Sequence, residues 1–185
     1  MSCFGKRSMT FFIGWLSPSL PFMPTAPLAT ATLLTPIGLL LLRGSEAGLH
    51  EVVFRDDAPA PAAVPDCLRE AHRQLQAYFR RELREFNLPL APLAGTAFQR
   101  RVWAALAGVA HGRTASYLDL ARLLGDAKAV RAVGAANGQN PLAIVVPCHR
   151  IVGASGALTG YAGGLLRKRW LLDFEQPARQ SSLFS

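Results

Sequence analysis

Cysteine is scarce in this chain of 185 residues, which contains only Cys3, Cys67 and Cys148. The three are far apart and include no C-x-x-C pair, the spacing typical of structural zinc and iron–sulfur sites. Their odd number argues against a disulfide framework. We therefore expect no metal site and no cofactor, and a reduced, cytoplasmic protein.

Long apolar runs are also lacking. Apolar residues make up 50% of the chain, which excludes global disorder, but no run reaches the roughly 18 to 20 residues of a membrane-spanning helix. We therefore expect no membrane partner. Near the start, Lys6 and Arg7 precede a short apolar stretch that weakly resembles a signal peptide, but several prolines interrupt it. We interpret residues 1–30 as a disordered extension, with a signal peptide as the alternative, and 177–185 as a tail.

Acidic residues are few. The chain has 12 Asp and Glu against 20 Lys and Arg, which gives a net charge of +8 and a pI near 10.3. Such a balance favours a polyanionic partner, nucleic acid before membrane. Charge alone is equally compatible with a soluble basic surface.

Residues 31–92 have the pattern of a small α+β domain. Strand-like runs at 35–42 and 49–54 flank a glycine-containing turn, and a Pro/Ala-rich loop follows. From Asp66 onward, apolar residues recur at spacings of three and four, which predicts an amphipathic helix: Leu68, Ala71, Leu75 and Phe79.

Residues 93–176 change to a helical pattern. Thr96 is a suitable cap for a first helix and Ser116 for a second, and a third follows Gly125. Two short helices separated by a tight glycine-containing turn match a helix-turn-helix. Helical hairpins are also common in proteins that never bind DNA, so this pattern alone is a weak indication.

The third helix has an unusual surface, because nearly all of its side chains are small and Arg131 is the only long polar one. Small residues let a helix backbone lie very close to its partner, and a lone arginine can then reach into a DNA groove. Close packing between helices would need the same small residues. The basic balance of the chain favours DNA.

The segment around Cys148 holds the strongest candidate for a reactive group. The apolar residues 142–146 predict a short buried strand, which Pro147 ends. Cys148 then lies at the mouth of the core, followed by His149 and Arg150. Thiolate is the nucleophilic form of cysteine, and a nearby base or positive charge lowers the pKa of the thiol. We favour a reactive thiol over a buried structural cysteine.

Taken together, these residues resemble the O6-alkylguanine-DNA alkyltransferase family, also called methylated-DNA–protein-cysteine methyltransferases, in its bacterial stand-alone type. The resemblance covers nearly everything from Thr35 to Glu175. One departure is the stretch 109–112, Val-Ala-His-Gly, where the family usually has Ile-Pro-Tyr/Lys-Gly. The matching motifs follow one another in the family's order: Phe98-Gln99 with Val102-Trp103, Gly112-Arg113-Thr114 with Ser116-Tyr117, Arg131-Ala132-Val133-Gly134, Asn140-Pro141, Pro147-Cys148-His149-Arg150, Gly160-Tyr161-Ala162-Gly163-Gly164, Lys168, and Leu171-Leu172 with Glu175.

The resemblance implies a fold and an activity. The fold is a ribonuclease H-like α+β domain followed by a helical helix-turn-helix domain that carries the active-site cysteine. The activity is DNA repair by direct reversal: irreversible, single-turnover transfer of the alkyl group from O6-alkylguanine, and also from O4-alkylthymine, to Cys148. The implied partner is double-stranded DNA with an alkylated guanine, bound through its minor groove by a monomer.

The resemblance also implies a role for each site residue. In the family's chemistry, His149 takes the proton of Cys148 through a water molecule, and Glu175 orients the imidazole. Asn140 organises the active-site turn. Tyr117 crowds the phosphate of a nucleotide rotated out of the duplex and donates to the leaving guanine. DNA contact is expected at Tyr117, Arg131, Ala132, Gly134 and Arg150, and the substrate pocket at Gly153, Tyr161, Ala162 and Gly163.

Two alternatives remain open. A non-catalytic alkyltransferase-like protein binds alkylated DNA without repairing it, but such proteins have another residue, typically Trp, in place of the cysteine. A Cys-His hydrolase or thiol redox sensor would need a small-molecule pocket and would not need the helix-turn-helix pattern, Arg131 or the basic charge. Incubation with alkylated DNA distinguishes all three.

Overall fold

The computed structural model describes residues 28–57, 63–92 and 95–176. The tail at 177–185 and all but the last three residues of the predicted extension lie outside these ranges. Within them, no helix is long and apolar enough to cross a membrane.

The N-terminal half is built on a three-stranded antiparallel sheet. Its strands, in spatial order, are β1 (Ala29–Thr35), β2 (Gly38–Ser45) and β3 (Gly48–Phe54). Two-residue turns join them, and the residue after each turn is a glycine of positive φ, Gly38 and Gly48. Glycine adopts this conformation without the clash that a Cβ would create.

The sequence does not predict strand β1, which begins at Ala29, within the stretch assigned to the extension. Alternation of threonine with alanine and leucine is a weak strand signal by itself. The strand forms because it pairs with β2 along its whole length. Its Ala31 and Leu33 also join the core beside Leu40 and Leu42.

Helix α1 (Asp66–Phe79) packs on the sheet and confirms the helix predicted from Asp66. Leu68, Ala71 and Leu75 are buried at the predicted spacing, and Tyr78 completes this face. Burying one leucine side chain contributes about 1.5 to 3 kcal/mol. The apolar stripe therefore determines which side of α1 faces the sheet.

The C-terminal half is helical, with two short strands: α2 (Ala97–Leu106), β4 (Ala115–Ser116), α3 (Tyr117–Leu123), α4 (Val130–Gly138), β5 (Ile151–Val152) and α5 (Leu165–Glu175). Both predicted caps are present, because Thr96 and Ser116 accept hydrogen bonds from backbone N–H groups at the third position of α2 and α3. Helices α3 and α4 pack together across a short turn, as a helix-turn-helix requires. The predicted α+β class is confirmed.

The segment 142–146 is not the strand that we predicted. Leu142 forms a single bridge with Val52 of β3, and the chain then turns, with Ile144 at a φ of 71°. The Asn140 side chain imposes this turn: its Oδ1 accepts from the Leu142 N–H at 3.0 Å and its Nδ2 donates to the Val146 carbonyl at 2.8 Å. These bonds override the strand preference of the β-branched residues.

The two halves share one hydrophobic core. Its buried residues come from the sheet and α1 on one side and from α2, α3, α4 and the turn at 142–146 on the other. The bridge from β3 to Leu142 joins the halves directly, with the Val52 N–H donating to the Pro141 carbonyl at 2.8 Å. The sheet therefore supports the turn that precedes Cys148.

Candidate active site

Cys148 lies in a single turn of 3-10 helix, Cys148–Arg150, which begins after Pro147. The side chain is only 5% exposed and contributes to the wall of a cavity of about 60 Å³. Four other segments line this cavity: Val53 and Phe54 at the end of β3, Gly138 and Asn140 at the end of α4, Ala143 in the turn at 142–146, and Tyr161, Ala162 and Gly163 in the loop before α5.

The imidazole of His149 is held by Glu175. His149 Nε2 lies 2.9 Å from Glu175 Oε1, and both side chains are buried. A carboxylate can only accept a hydrogen bond, so Nε2 carries the proton and Nδ1 is left as the acceptor. Nδ1 is buried and has no hydrogen-bond partner among the described residues. It is therefore the ring nitrogen that can receive a proton.

Glu175 also accepts hydrogen bonds from residues other than His149. The guanidinium of Arg150 forms a two-point ion pair with it, from Nε at 2.8 Å and Nη2 at 2.9 Å, and the hydroxyl of Tyr78 donates to it at 2.8 Å. The backbone N–H of Gly112 adds a longer bond of 3.3 Å. The helix-end carboxylate is thus the centre of a buried polar network that ties α1 to the 3-10 turn.

Arg150, for which the resemblance implies a contact with DNA, lies inside the protein in this structure. Its side chain is 7% exposed, and its remaining amino group, Nη1, donates to the Val109 carbonyl at 2.6 Å. Three of the five N–H donors of the guanidinium are thus used within the protein. The positive charge after His149 instead orders Glu175.

The structure also corrects the expected direction of the cysteine pKa. Burial raises the pKa of the Cys148 thiol, although the Asn140 amide and the Lys168 ammonium oppose this shift. Burial likewise lowers the pKa of His149, against the effect of Glu175. The resting pair is therefore a neutral thiol and a neutral imidazole, because burial removes most of the water that would solvate either charge.

Burial alone would raise the pKa of Glu175, but the hydrogen bonds from His149 and Arg150 outweigh it and hold that pKa well below its usual range. The carboxylate consequently remains charged at any physiological pH. It can stabilise the imidazolium that forms when His149 accepts a proton.

The predicted DNA-facing residues lie on the helix-turn-helix. Arg131 and Ala132 are exposed at the start of α4, while Gly134 faces the ring of Tyr117. The hydroxyl of Tyr117 donates to the Thr159 carbonyl at 3.1 Å. Arg131 forms no hydrogen bond or ion pair with any described residue, so it is available to an external partner.

The predicted pocket residues divide into two groups. Tyr161, Ala162 and Gly163 line the cavity beside Cys148. Gly153 does not: its N–H donates to the Ala157 carbonyl at 2.8 Å and closes a tight turn in the same loop. Gly153 therefore belongs to the loop that carries these pocket residues.

Comparisons with known proteins decide the family. Residues 97–177 match the model of the 6-O-methylguanine DNA methyltransferase DNA-binding domain, and residues 28–92 match that of the ribonuclease-like domain of the same enzymes. A methylated-DNA–protein-cysteine methyltransferase of Methanosarcina acetivorans is 49% identical over 148 residues, covering 76% of this chain and 94% of that protein. One of Mycolicibacterium paratuberculosis is 48% identical over 80% of this chain and 93% of its own length.

This chain belongs to the methylated-DNA–protein-cysteine methyltransferase family. The crystal structure of the Mycobacterium tuberculosis O6-methylguanine methyltransferase superposes with a TM-score of 0.72 at 43% identity, covering 82% of this chain and 96% of that one. A second structure of the mycobacterial protein, in complex with DNA, gives a TM-score of 0.72 at 46% identity over 79% and 92% of the two chains. The resemblance inferred from the motifs is confirmed.

Sequence reasoning gave no site role to three residues that lie around the site of this alkyltransferase. Lys168 is fully buried, and its Nζ donates to the carbonyls of Thr159 and Gly160 at 2.7 and 3.2 Å. Asn137 is also buried and donates to the Cys148 carbonyl at 3.4 Å. Tyr78 looked like an ordinary core aromatic. No local signal separates a buried lysine from a solvated one on a helix, since only the loop folded over it shows the difference.

No group of three or more His, Cys, Asp or Glu side chains in the described part of the chain is placed to hold a metal ion.

Proposed function

We propose that this chain repairs alkylated DNA by transferring the alkyl group from O6 of guanine irreversibly to Cys148. The observation that carries the proposal is the buried Cys148–His149–Glu175 arrangement at the wall of a cavity, in a chain of this family. A thiol with an adjacent base, which a third group orients, is the general signature of an activated nucleophile.

The proposed step conserves atoms and charge. His149 accepts the thiol proton of Cys148 at Nδ1 through a water molecule, and the sulfur then attacks the alkyl carbon in line with the bond to O6. A carbon–sulfur bond forms as the carbon–oxygen bond breaks, and the departing guanine takes up one proton. Glu175 stabilises the transient imidazolium through its hydrogen bond to Nε2.

Tyr117 is the proposed proton donor to the guanine. Burial raises the pKa of its hydroxyl, so the group remains protonated at neutral pH and is able to donate. Its ring also lies against Gly134, on the helix proposed to contact DNA. Tyr117 thereby joins the lesion site to the DNA-binding surface.

The DNA-binding mode follows from the surface of α4. We propose that α4 enters the minor groove of double-stranded DNA, with its small residues against the backbone and Arg131 in the space vacated by the alkylated nucleotide. Extruding a nucleotide from the stack costs a few kcal/mol, which inserted groups offset. Tyr161 packs against the extruded base, and the backbone N–H of Ala162 contacts O6.

The proposal extends to the partner and the setting. We infer that the protein acts as a monomer on alkylated DNA, also accepts O4-alkylthymine, and works in the cytoplasm, where its cysteines stay reduced. Asn140 holds the turn before the cysteine. Because a thioether does not leave in water, each molecule acts once.

The test is the mass of the protein after exposure to a duplex that contains O6-methylguanine. We expect one added methyl group, on the peptide with Cys148 and on neither Cys3 nor Cys67. We also expect an end point of one repaired guanine per protein molecule. The variant Cys148→Ala should bind the same duplex but transfer nothing. Sustained turnover with DNA in large excess would contradict the proposal, and binding without any mass change would favour the non-catalytic alternative.

A further inference from the structure

Arg167, in the first turn of α5, connects three separate parts of the molecule. Its Nε donates to the Ile37 carbonyl in the β1–β2 turn at 2.7 Å. Its Nη2 meets Asp56, just beyond β3, at 2.5 Å, and its Nη1 donates to the Gly163 carbonyl at 3.2 Å. One guanidinium thus bonds to the sheet and to the loop before α5 at the same time.

The same guanidinium also covers an aromatic ring. Its central carbon lies 4.7 Å from the ring centre of Phe54, within the range of an attractive cation–π contact. Phe54 and Gly163 both line the cavity next to Cys148. Arg167 therefore fixes two of the residues that form this wall, although it does not line the cavity itself.

The residues around Gly163 and Gly38 are tightly packed. A Cβ added to Gly163 would come within 2.8 Å of both Phe54 Cδ2 and Tyr161 Cε1. A Cβ added to Gly38 would come within 2.7 Å of Arg167 Nη2. Gly163 is therefore closely packed between the rings of Phe54 and Tyr161, and the Arg167 guanidinium lies directly against Gly38.

The cavity is small for the larger substrates of this chemistry. Its volume of about 60 Å³ is well below the roughly 150 Å³ of an apolar cavity that accepts benzene. An aromatic alkyl group therefore needs more room than this cavity has, and one way to supply that room is a movement of Phe54 and Gly163. That movement would break the contacts of Arg167.

We propose that Arg167 is a positioning residue that limits the size of the alkyl group transferred to Cys148. The inference rests on the proposed alkyl transfer. The guanidinium lies outside the cavity and fixes Phe54 and Gly163 through its hydrogen bonds and its cation–π contact. It thereby favours small alkyl groups. Lysine would not replace it, because a single ammonium cannot reach the three acceptors and cover the ring together.

The test compares rate constants for two oligonucleotides that differ only in carrying O6-methylguanine or O6-benzylguanine. Arg167→Leu should raise the benzyl-to-methyl ratio of rates at least about tenfold, the discrimination that a pocket achieves for one methylene. Asp56→Ala removes one exposed anchor, so it should fold normally and shift the ratio less, in the same direction. Arg169→Leu, which changes an exposed arginine on the same helix, is the matched control and should leave the ratio unchanged.

The outcomes separate the two proposals. If the wild-type protein transfers neither group to Cys148, the proposed function is wrong. If the wild-type protein transfers the methyl group but the ratio is the same in Arg167→Leu and Asp56→Ala, Arg167 does not limit the alkyl group. A parallel fall of both rates in the variants would likewise overturn the proposal, because it would show that the arginine only stabilises the fold.

Discussion

At the scale of single residues, Glu175 is the group on which most of the site depends. It accepts hydrogen bonds from His149, Arg150 and Tyr78 while it is almost completely buried. A carboxylate in such a position is stable only because its partners supply charge and donors together. The same residue therefore serves reactivity and folding, and its substitutions will change both.

The pH dependence of transfer tests the proton path. Because burial lowers the pKa of His149, its imidazole stays neutral in the folded protein down to pH values below about 6.5, the pKa of an unperturbed histidine. We expect a constant rate with free O6-benzylguanine above this range and a fall in more acidic solution, as the base takes up a proton. His149→Phe should remove most of the activity. A rate that instead climbs steadily towards pH 9 would mean that the thiol ionises without the histidine.

Glu175→Gln should reduce both reactivity and stability. The amide keeps a hydrogen bond to His149 but no longer stabilises the imidazolium, and it leaves Arg150 buried without a counter-charge. Removing one partner of a buried ion pair costs about 3 to 5 kcal/mol. Transfer rates should be measured where circular dichroism shows the variant to be folded. An unchanged rate and unfolding midpoint would contradict both roles.

Tyr78→Phe isolates the structural part of this network. The hydroxyl donates to Glu175 from the other half of the molecule. A hydrogen bond to a charged group contributes about 1.5 to 3 kcal/mol, so the free energy of unfolding should fall by that amount. Transfer by the folded variant should change little, because His149 and Arg150 still hold the carboxylate. A large loss of rate at full stability would indicate that Tyr78 takes part in the chemistry.

At the scale of elements, helix α4 has two faces with different tasks. Val133, Ala136 and Asn137 are buried, whereas Arg131 and Ala132 are exposed. The small residues of the sequence pattern occur on both faces, because Ala132 is exposed whereas Ala136 is buried. Asn137 lay outside that pattern, because its hydrogen bond to Cys148 joins residues that only the fold brings together.

Arg131→Ala should slow repair of duplex DNA far more than reaction with free O6-benzylguanine. The free base needs no extrusion from a stack, so a residue that fills the vacated space has nothing to stabilise there. Arg122→Ala, an exposed arginine on α3, is the control for the loss of one positive charge. Equal effects of Arg131→Ala on both substrates would make Arg131 a structural residue.

At the scale of the whole molecule, the net charge of +8 should govern DNA affinity. Phosphate contacts release counterions, so the logarithm of the binding constant should fall linearly with the logarithm of salt concentration. Affinity should depend little on base sequence, since an inserted arginine and small residues do not read base edges in the major groove. Fluorescence anisotropy with two unrelated duplexes at several salt concentrations checks both points. A salt-independent affinity would exclude this binding mode.

The local sequence was sufficient to predict several elements of the fold. Helix α1, the caps Thr96 and Ser116 and the helix-turn-helix depend on spacing and on side chains within four residues, which a sequence displays directly. The motif at Cys148 was likewise recognisable, because Cys148 and His149, the proposed nucleophile and base, are adjacent in the chain.

Prediction from the sequence failed where contacts between residues distant in the chain determine the local structure or the pKa. Segment 142–146 has strand composition, but Asn140 and β3 fold it into a turn. Arg150 is a surface residue by type, yet Glu175 draws it into the core. The thiol pKa moves opposite to the expectation because its environment is set by burial rather than by its neighbours in sequence. Burial and long-range pairing arise only when the two halves pack together, so the tertiary structure alone decided them.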